Sequence, residues 1–184
     1  MSEKPALVTG VPGWLGSKLV ESLISGLPEV KGLESPAPRL VRALALPAAD
    51  TAEMEKQFSG QGATLEVVRG DLAKEDNNEN GLNRLFKDAE GATVFHVAGV
   101  IHPTRGVKEF YEVNVEGTRR MLERAVQAGV KRFIHVSSNS PIGVARAGQT
   151  IFDESSPYNP YMNYGKAKSW RKTWSMPPPA KLRR

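Results

Sequence analysis

The chain has 184 residues, 40% of them hydrophobic and 24% charged, with no cysteine and a net charge of +5. That length suits one domain with a sizeable core, and the lack of cysteine excludes a disulfide framework and thiolate chemistry. No apolar run approaches the roughly 18 residues of a membrane span, and Met1-Ser2-Glu3-Lys4-Pro5 lacks the apolar stretch of a secretion signal; the expectation is a soluble cytoplasmic protein without a membrane partner.

The positive charge is not spread over the chain. Beyond Glu154 there is no acidic residue, whereas Lys166, Lys168, Arg171, Lys172, Lys181, Arg183 and Arg184 are basic. Removing those 7 from 25 leaves 18 basic against 20 acidic residues in positions 1–154. A nucleic-acid footprint is a basic patch on a folded face with readout residues, and a terminal run is not one. No nucleic-acid partner is expected.

The first element is the apolar run Ala6-Leu7-Val8, a strand. It enters Thr9-Gly10-Val11-Pro12-Gly13-Trp14-Leu15-Gly16, and Leu15, Leu19, Leu23 and Leu27 then recur every four residues as a helix. Strand, glycine turn and helix start form the order of a phosphate-binding turn. Gly10 permits positive φ, Gly13 keeps a side chain out of the phosphate's path, and Gly16 lets the helix approach the strand. The free N–H groups and positive dipole end of the helix face the phosphates.

Glycines and prolines between Gly26 and Pro38 break regular structure, and Leu40 to Leu46 reads as a second strand that Pro47 ends. Residues 51–58 suit a short helix. Thr64 to Arg69 reads as a third strand, running into Gly70-Asp71-Leu72. Asp71 suits a cap on the next turn. Residues 73–80 are polar and read as a surface segment; Leu82, Leu85 and Phe86 suggest a short amphipathic helix. Ala92 to Val97 is a buried-strand pattern that ends in Ala98-Gly99, small enough to let a backbone pass close to a ligand. His96, His102 and His135 lack acidic or cysteine partners at ligand spacing, so core or loop roles are expected and no metal.

Residues 110–128 carry the clearest helical stripe, with Gly129 as its stop. Asn114 lies within it between valines, a costly place for an amide unless it is satisfied. Arg132 to Val136 reads as a fifth strand, emerging at Ser137-Ser138. Further on, Tyr164 and Lys168 stand four apart, on one face of a helix.

Taken in order, Thr-Gly-x-x-Gly-x-x-Gly, Gly-Asp-Leu, His-x-Ala-Gly, the Asn114 helix, the Ser138 loop and Tyr-x-x-x-Lys resemble the extended short-chain dehydrogenase/reductase superfamily. The similarity is closest to its NAD-dependent epimerase/dehydratase family, over positions 6 to about 168. The resemblance implies an α/β fold, a doubly wound parallel Rossmann-like sheet of about five strands in the order 3-2-1-4-5 with helices on both faces. It implies NAD or NADP as cofactor, held by Thr9, Gly10, Gly13, Trp14, Leu15, Gly16, Asp71, Leu72, Ala98, Gly99, Tyr164 and Lys168. It also implies catalytic roles for Tyr164 as acid/base, Lys168 beside it, Ser138 on the substrate oxygen, and Asn114 supporting a water next to the lysine.

The residue that usually distinguishes NAD from NADP, at the end of the second strand, is replaced by Leu46-Pro47, with Asp50 beyond and Arg42 mid-strand; the choice stays open. After Lys168 the pattern departs from the family: residues 169–184 form a basic tail with Pro177-Pro178-Pro179, which cannot extend a helix. The division is therefore a dinucleotide-binding domain, 1–168, and an atypical tail, 169–184. The tail reads as truncation ahead of the family's substrate lobe, with a natural minimal domain as the alternative. Function then divides between an oxidoreductase-type enzyme acting on a nucleotide-sugar or similar small molecule, inactive in this short form, an NADP-dependent ketone reductase of the dihydroflavonol or 3β-hydroxysteroid kind, and a non-catalytic dinucleotide-binding module or sensor.

Overall fold

In β1, Ala6–Val11, side chains alternate between two apolar surfaces, because successive residues of a strand point to opposite faces. Ala6 and Val8 join one core cluster and Leu7 the other. The computed structural model describes residues 4–34, 40–58, 64–145, 148, 151–153 and 155–169. The tail beyond Ser169 lies outside the described residues.

The strands are β1, β2 (Leu40–Ala45), β3 (Thr64–Arg69), β4 (Thr93–His96) and β5 (Arg132–His135), all parallel, in the order β3-β2-β1-β4-β5. Helices α1 (Trp14–Ser25) and α2 (Ala52–Phe58) cover one face: Val20, Ile24 and Phe58 pack on Val8, Val41, Ala43 and Ala45. On the other face Leu82 and Leu85 of α3 (Leu82–Leu85) and Met121 and Ala125 of α4 (Thr118–Gln127) pack on Leu7, Leu44, Val68 and Val94. Helix α5 (Asn163–Ser169) carries Tyr164 and Lys168. The result is the doubly wound Rossmann-like fold, with its switch point between β1 and β4.

One local expectation needs correction. The helix over residues 110–128 does not start as an α-helix. Phe110–Gly117 winds as a wider π-helical segment that continues into α4, burying Phe110, Asn114 and Gly117. Gly129, at φ +68°, follows its end. The polar run 73–80 is largely a surface segment, as expected, except at its last residue. Asn80 is fully buried, donates to the Lys74 carbonyl, and accepts from the Leu82 N–H at the start of α3. It sits so close to Gly70 that a Cβ there would lie 2.3 Å from its carbonyl oxygen. Among the described residues no helix is long and apolar enough to cross a membrane.

Candidate active site

The glycine turn leaves β1 at the switch point. Gly10 takes φ +90°, and a Cβ on it would lie 2.9 Å from the Ala98 nitrogen, so β1 and the β4 exit approach more closely than any side chain allows. The Gly13 N–H donates to the Gly10 carbonyl at 3.1 Å. A Cβ on Gly13 or Gly16 would meet that same oxygen at 2.8 and 2.4 Å. Closure of the turn on itself is therefore reason enough for both glycines, ahead of any room left for a phosphate. Helix α1 follows with no side-chain cap and no acidic residue in its first turn. Among the described residues, no side chain thus caps its leading N–H groups at the positive dipole end. The Trp14 side chain is 85% exposed and Leu15 is also exposed, so what both bring to the turn is their backbone.

A buried relay fixes the floor of the site. Thr9 and His96 are register partners on β1 and β4. The Thr9 Oγ1 accepts from the backbone N–H groups of Val97 (3.1 Å) and Ala98 (3.0 Å) and lies 2.9 Å from His96 Nδ1. With both lone pairs used, its single proton goes to Nδ1. His96 therefore carries its hydrogen on Nε2 and donates it to Thr118 Oγ1 at 2.9 Å. Burial, with His135 and Lys168 adding positive charge, lowers its pKa to about 3, so the ring stays neutral. His135 stacks on it at 5.2 Å. Among the described residues no group of three His, Cys, Asp or Glu could hold a metal.

Above this floor stand Asn114, Gly99 and Lys168. The Asn114 amide is satisfied at both atoms by the backbone of Val100: Oδ1 accepts from its N–H at 2.7 Å and Nδ2 donates to its carbonyl at 2.8 Å. A Cβ on Gly99 would lie 3.2 Å from Lys168 Nζ and 3.4 Å from Asn114 Oδ1. The ammonium thus reaches across from α5 to the end of β4. Lys168 is 8% exposed, and loss of hydration holds its pKa below the ordinary lysine range. Its Nζ lies 5.9 Å from the centroid of the Tyr164 ring, which is half-buried against Phe110.

Ser138 sits in the loop after β5. Its Oγ accepts from the Ser140 N–H at 3.1 Å and lies 2.9 Å from Ser140 Oγ. Two glycines outside the expected site join this loop to α5. A Cβ on Gly165 would be 2.6 Å from the Ser140 carbonyl, and one on Gly143, at φ +77°, 1.9 Å from that of Asn159. A glycine directly after the tyrosine, inside a helix, was the available signal for the first.

At the other end, Asp71 follows β3 and its Oδ1 accepts from the Ala73 N–H at 2.9 Å, the capping role. The Leu72 side chain is buried, close enough that a Cβ on Gly117 would be 3.0 Å from its own Cβ. The fold thus gathers Thr9, the turn, Ala98, Gly99, Asn114, Tyr164 and Lys168 around the carboxyl ends of β1 and β4, with Asp71 and Leu72 at the end of β3.

A family profile described as "NAD dependent epimerase/dehydratase family" matches residues 6–172. The uncharacterized protein y4nL of Sinorhizobium fredii is 37% identical over 162 residues, 88% of this chain and 42% of its own length. The UDP-glucose 4-epimerase of Mycolicibacterium smegmatis is 31% identical over 166 residues, 88% of this chain and 47% of its own. Among solved structures, the dTDP-glucose 4,6-dehydratase DesIV of Streptomyces venezuelae, with NAD bound, is 29% identical with a TM-score of 0.66. The match covers 90% of this chain and 48% of DesIV. The chain thus spans less than half the length of these relatives.

Proposed function

Because the chain belongs to the NAD-dependent epimerase/dehydratase family, we propose that it binds NAD(P) at the glycine turn and carries the proton-transfer residues for hydride chemistry at a carbinol or carbonyl carbon. The observation that carries this reading is the convergence of Lys168 Nζ on Gly99, beside the glycine turn. The residues fit such a cofactor. The start of α1 is uncapped, and Gly99 leaves open the space into which the ammonium projects.

When bound, the nicotinamide supplies a two-electron hydride donor or acceptor. Tyr164 gives or takes the proton at the substrate oxygen. Lys168, one turn along the same helix, places a positive charge next to the anion left when that proton departs. Ser138 donates to the same substrate oxygen, its own oxygen held by the Ser140 N–H. Asn114 holds the Val100 backbone, and with it the loop after β4, against the π-helical segment.

The named activities of the UDP-glucose 4-epimerase and of DesIV support a nucleotide-sugar as substrate, and that of the 3-beta-hydroxysteroid dehydrogenase of Mycolicibacterium neoaurum, 32% identical over 167 residues, supports a hydroxysteroid as the second reading. Val144, Ile151, Tyr161 and Met162, which flank the Ser138 loop and precede α5, are largely exposed, so the described residues leave this side of the site open to water. Reacting atoms need positioning within roughly 3–3.5 Å and shielding from solvent. The 184-residue chain is thus expected to bind its nucleotide but turn over UDP- or dTDP-hexoses slowly or not at all.

Calorimetric titration with NAD and NADH tests the reading. Lys168→Met should weaken binding at least tenfold, about 1.4 kcal/mol. A folded wild-type chain that binds neither nucleotide, or a Lys168→Met variant that binds as tightly as wild type, contradicts it.

A further inference from the structure

Ser138 and Ser140 stand two apart in the loop that leaves β5, with the exposed Asn139 between them. A serine hydroxyl has one proton to give and two lone pairs to receive with. The Ser140 N–H donates to Ser138 Oγ at 3.1 Å, filling one of those lone pairs. This closes a local turn in which the hydroxyl takes the place of a backbone carbonyl. The two Oγ atoms lie 2.9 Å apart, so one hydroxyl proton sits between them.

The direction of that bond decides what Ser138 can do. If Ser138 donates, its only proton is spent on Ser140, and the Ser140 proton has no acceptor among the described residues. If Ser140 donates, both lone pairs of Ser138 are filled and its one proton is left for a ligand oxygen. With such an oxygen present, the second arrangement runs Ser140 to Ser138 to ligand. Consecutive hydroxyl bonds polarise one another, which makes Ser138 the stronger donor.

Ser140 is also held in place from the far side. Its carbonyl faces Gly165, the residue after Tyr164, where a Cβ would lie 2.6 Å from it. Pro141, next in the chain and buried, restricts the Ser140 backbone. The Asn159 N–H donates to the carbonyls of Pro141 at 3.0 Å and Ile142 at 3.2 Å. The second hydroxyl is therefore carried by a loop docked on the segment that leads into α5, so Ser138 and Tyr164 are set by adjoining backbone.

We propose, resting on the hydride-chemistry reading above, that Ser140 is a positioning residue of this site. Its hydroxyl donates to Ser138 Oγ and so leaves the Ser138 proton for the carbinol or carbonyl oxygen of the substrate. Ser140 acts through Ser138 and does not itself touch that oxygen.

Two measurements on the intact chain test this. Neutron diffraction from crystals of the deuterated chain reads the hydroxyl deuterons directly. The Ser140 deuteron should lie on the line to Ser138 Oγ, with the Ser138 deuteron turned away; a Ser138 deuteron directed at Ser140 Oγ overturns the proposal. The second is slow reduction of NAD by UDP-glucose, in which the sugar carbinol loses a hydride to NAD and its hydroxyl proton to Tyr164, followed by the absorbance of NADH. Ser140→Ala keeps the N–H and removes only the hydroxyl. It should slow this step roughly tenfold, the scale of one hydrogen bond, with the Kd for NAD unchanged. Ser140→Thr should retain most of the rate, and in a Ser138→Ala background Ser140→Ala should cost nothing further. A folded Ser140→Ala variant as fast as wild type, equal losses in the Ala and Thr variants, or a full further loss on top of Ser138→Ala overturns the proposal. If wild type reduces no NAD, the deuteron positions alone decide. A folded wild-type chain that binds no NAD overturns the dinucleotide reading and this proposal with it, whichever way the deuterons point.

Discussion

His96 shows how a single side chain ties the fold to the site. Thr9 receives two backbone donors from the loop that must pass a ligand, and passes its own proton to His96, which donates on to Thr118 of α4. The relay requires a neutral imidazole. The folded pKa is about 3, below the ordinary 6.5, so the unfolded chain takes up the proton first as pH falls. Stability is full above about pH 6.5 and declines between there and pH 3, with a slope approaching about 1.4 kcal/mol per pH unit. Chemical denaturation from pH 8 to 4.5 should show this decline, and His96→Gln should be less stable at pH 8 but flatter toward acid. Parallel curves for the two proteins would place the acid sensitivity elsewhere. From the sequence, His96 was legible as a core histidine because it sits in an apolar strand. Its tautomer was not, since that depends on residues 87 and 22 positions away.

Among the elements, the glycine turn and α5 separate two reasons for a glycine. At Gly16 an added Cβ lies 2.4 Å from the Gly10 carbonyl, backbone against backbone. Gly16→Ala should therefore cost roughly 3 kcal/mol or more in urea unfolding. At Gly99 the same Cβ meets, at 3.2 Å, the flexible end of Lys168. Gly99→Ala should leave the unfolding midpoint nearly unchanged while displacing the ammonium and weakening NAD binding. Equal losses of stability in the two variants would count against the distinction. The Gly-x-x-Gly-x-x-Gly spacing was enough to place the turn between β1 and α1. It did not separate self-closure from ligand clearance, because both demand the same residue. The π-helical winding of Phe110–Gly117 was likewise hidden: an apolar stripe of period 3.6 tolerates one wider stretch without changing its pattern.

At the scale of the whole molecule, the order β3-β2-β1-β4-β5 follows from strands alternating with helices and from right-handed crossovers, and the apolar runs of Leu7–Val8 and Leu40–Ala45 mark strands buried on both faces. The polar stretch 73–80 is largely exposed, as read from its composition, and its last residue, Asn80, is the exception, buried by hydrogen bonds rather than by hydrophobicity. The strand order brings the turn after β1, the Asp71 corner after β3, Gly99 after β4 and Ser138 after β5 to one edge of the sheet, beside α5. Hydrogen exchange of the intact chain with and without saturating NAD tests that convergence most directly. The account predicts slowed exchange at residues 10–16, 71–72, 98–100 and along α5, with the outward sides of α3 and α4 unchanged. Protection confined to other surfaces, with the glycine turn exchanging at the same rate in both states, would contradict it.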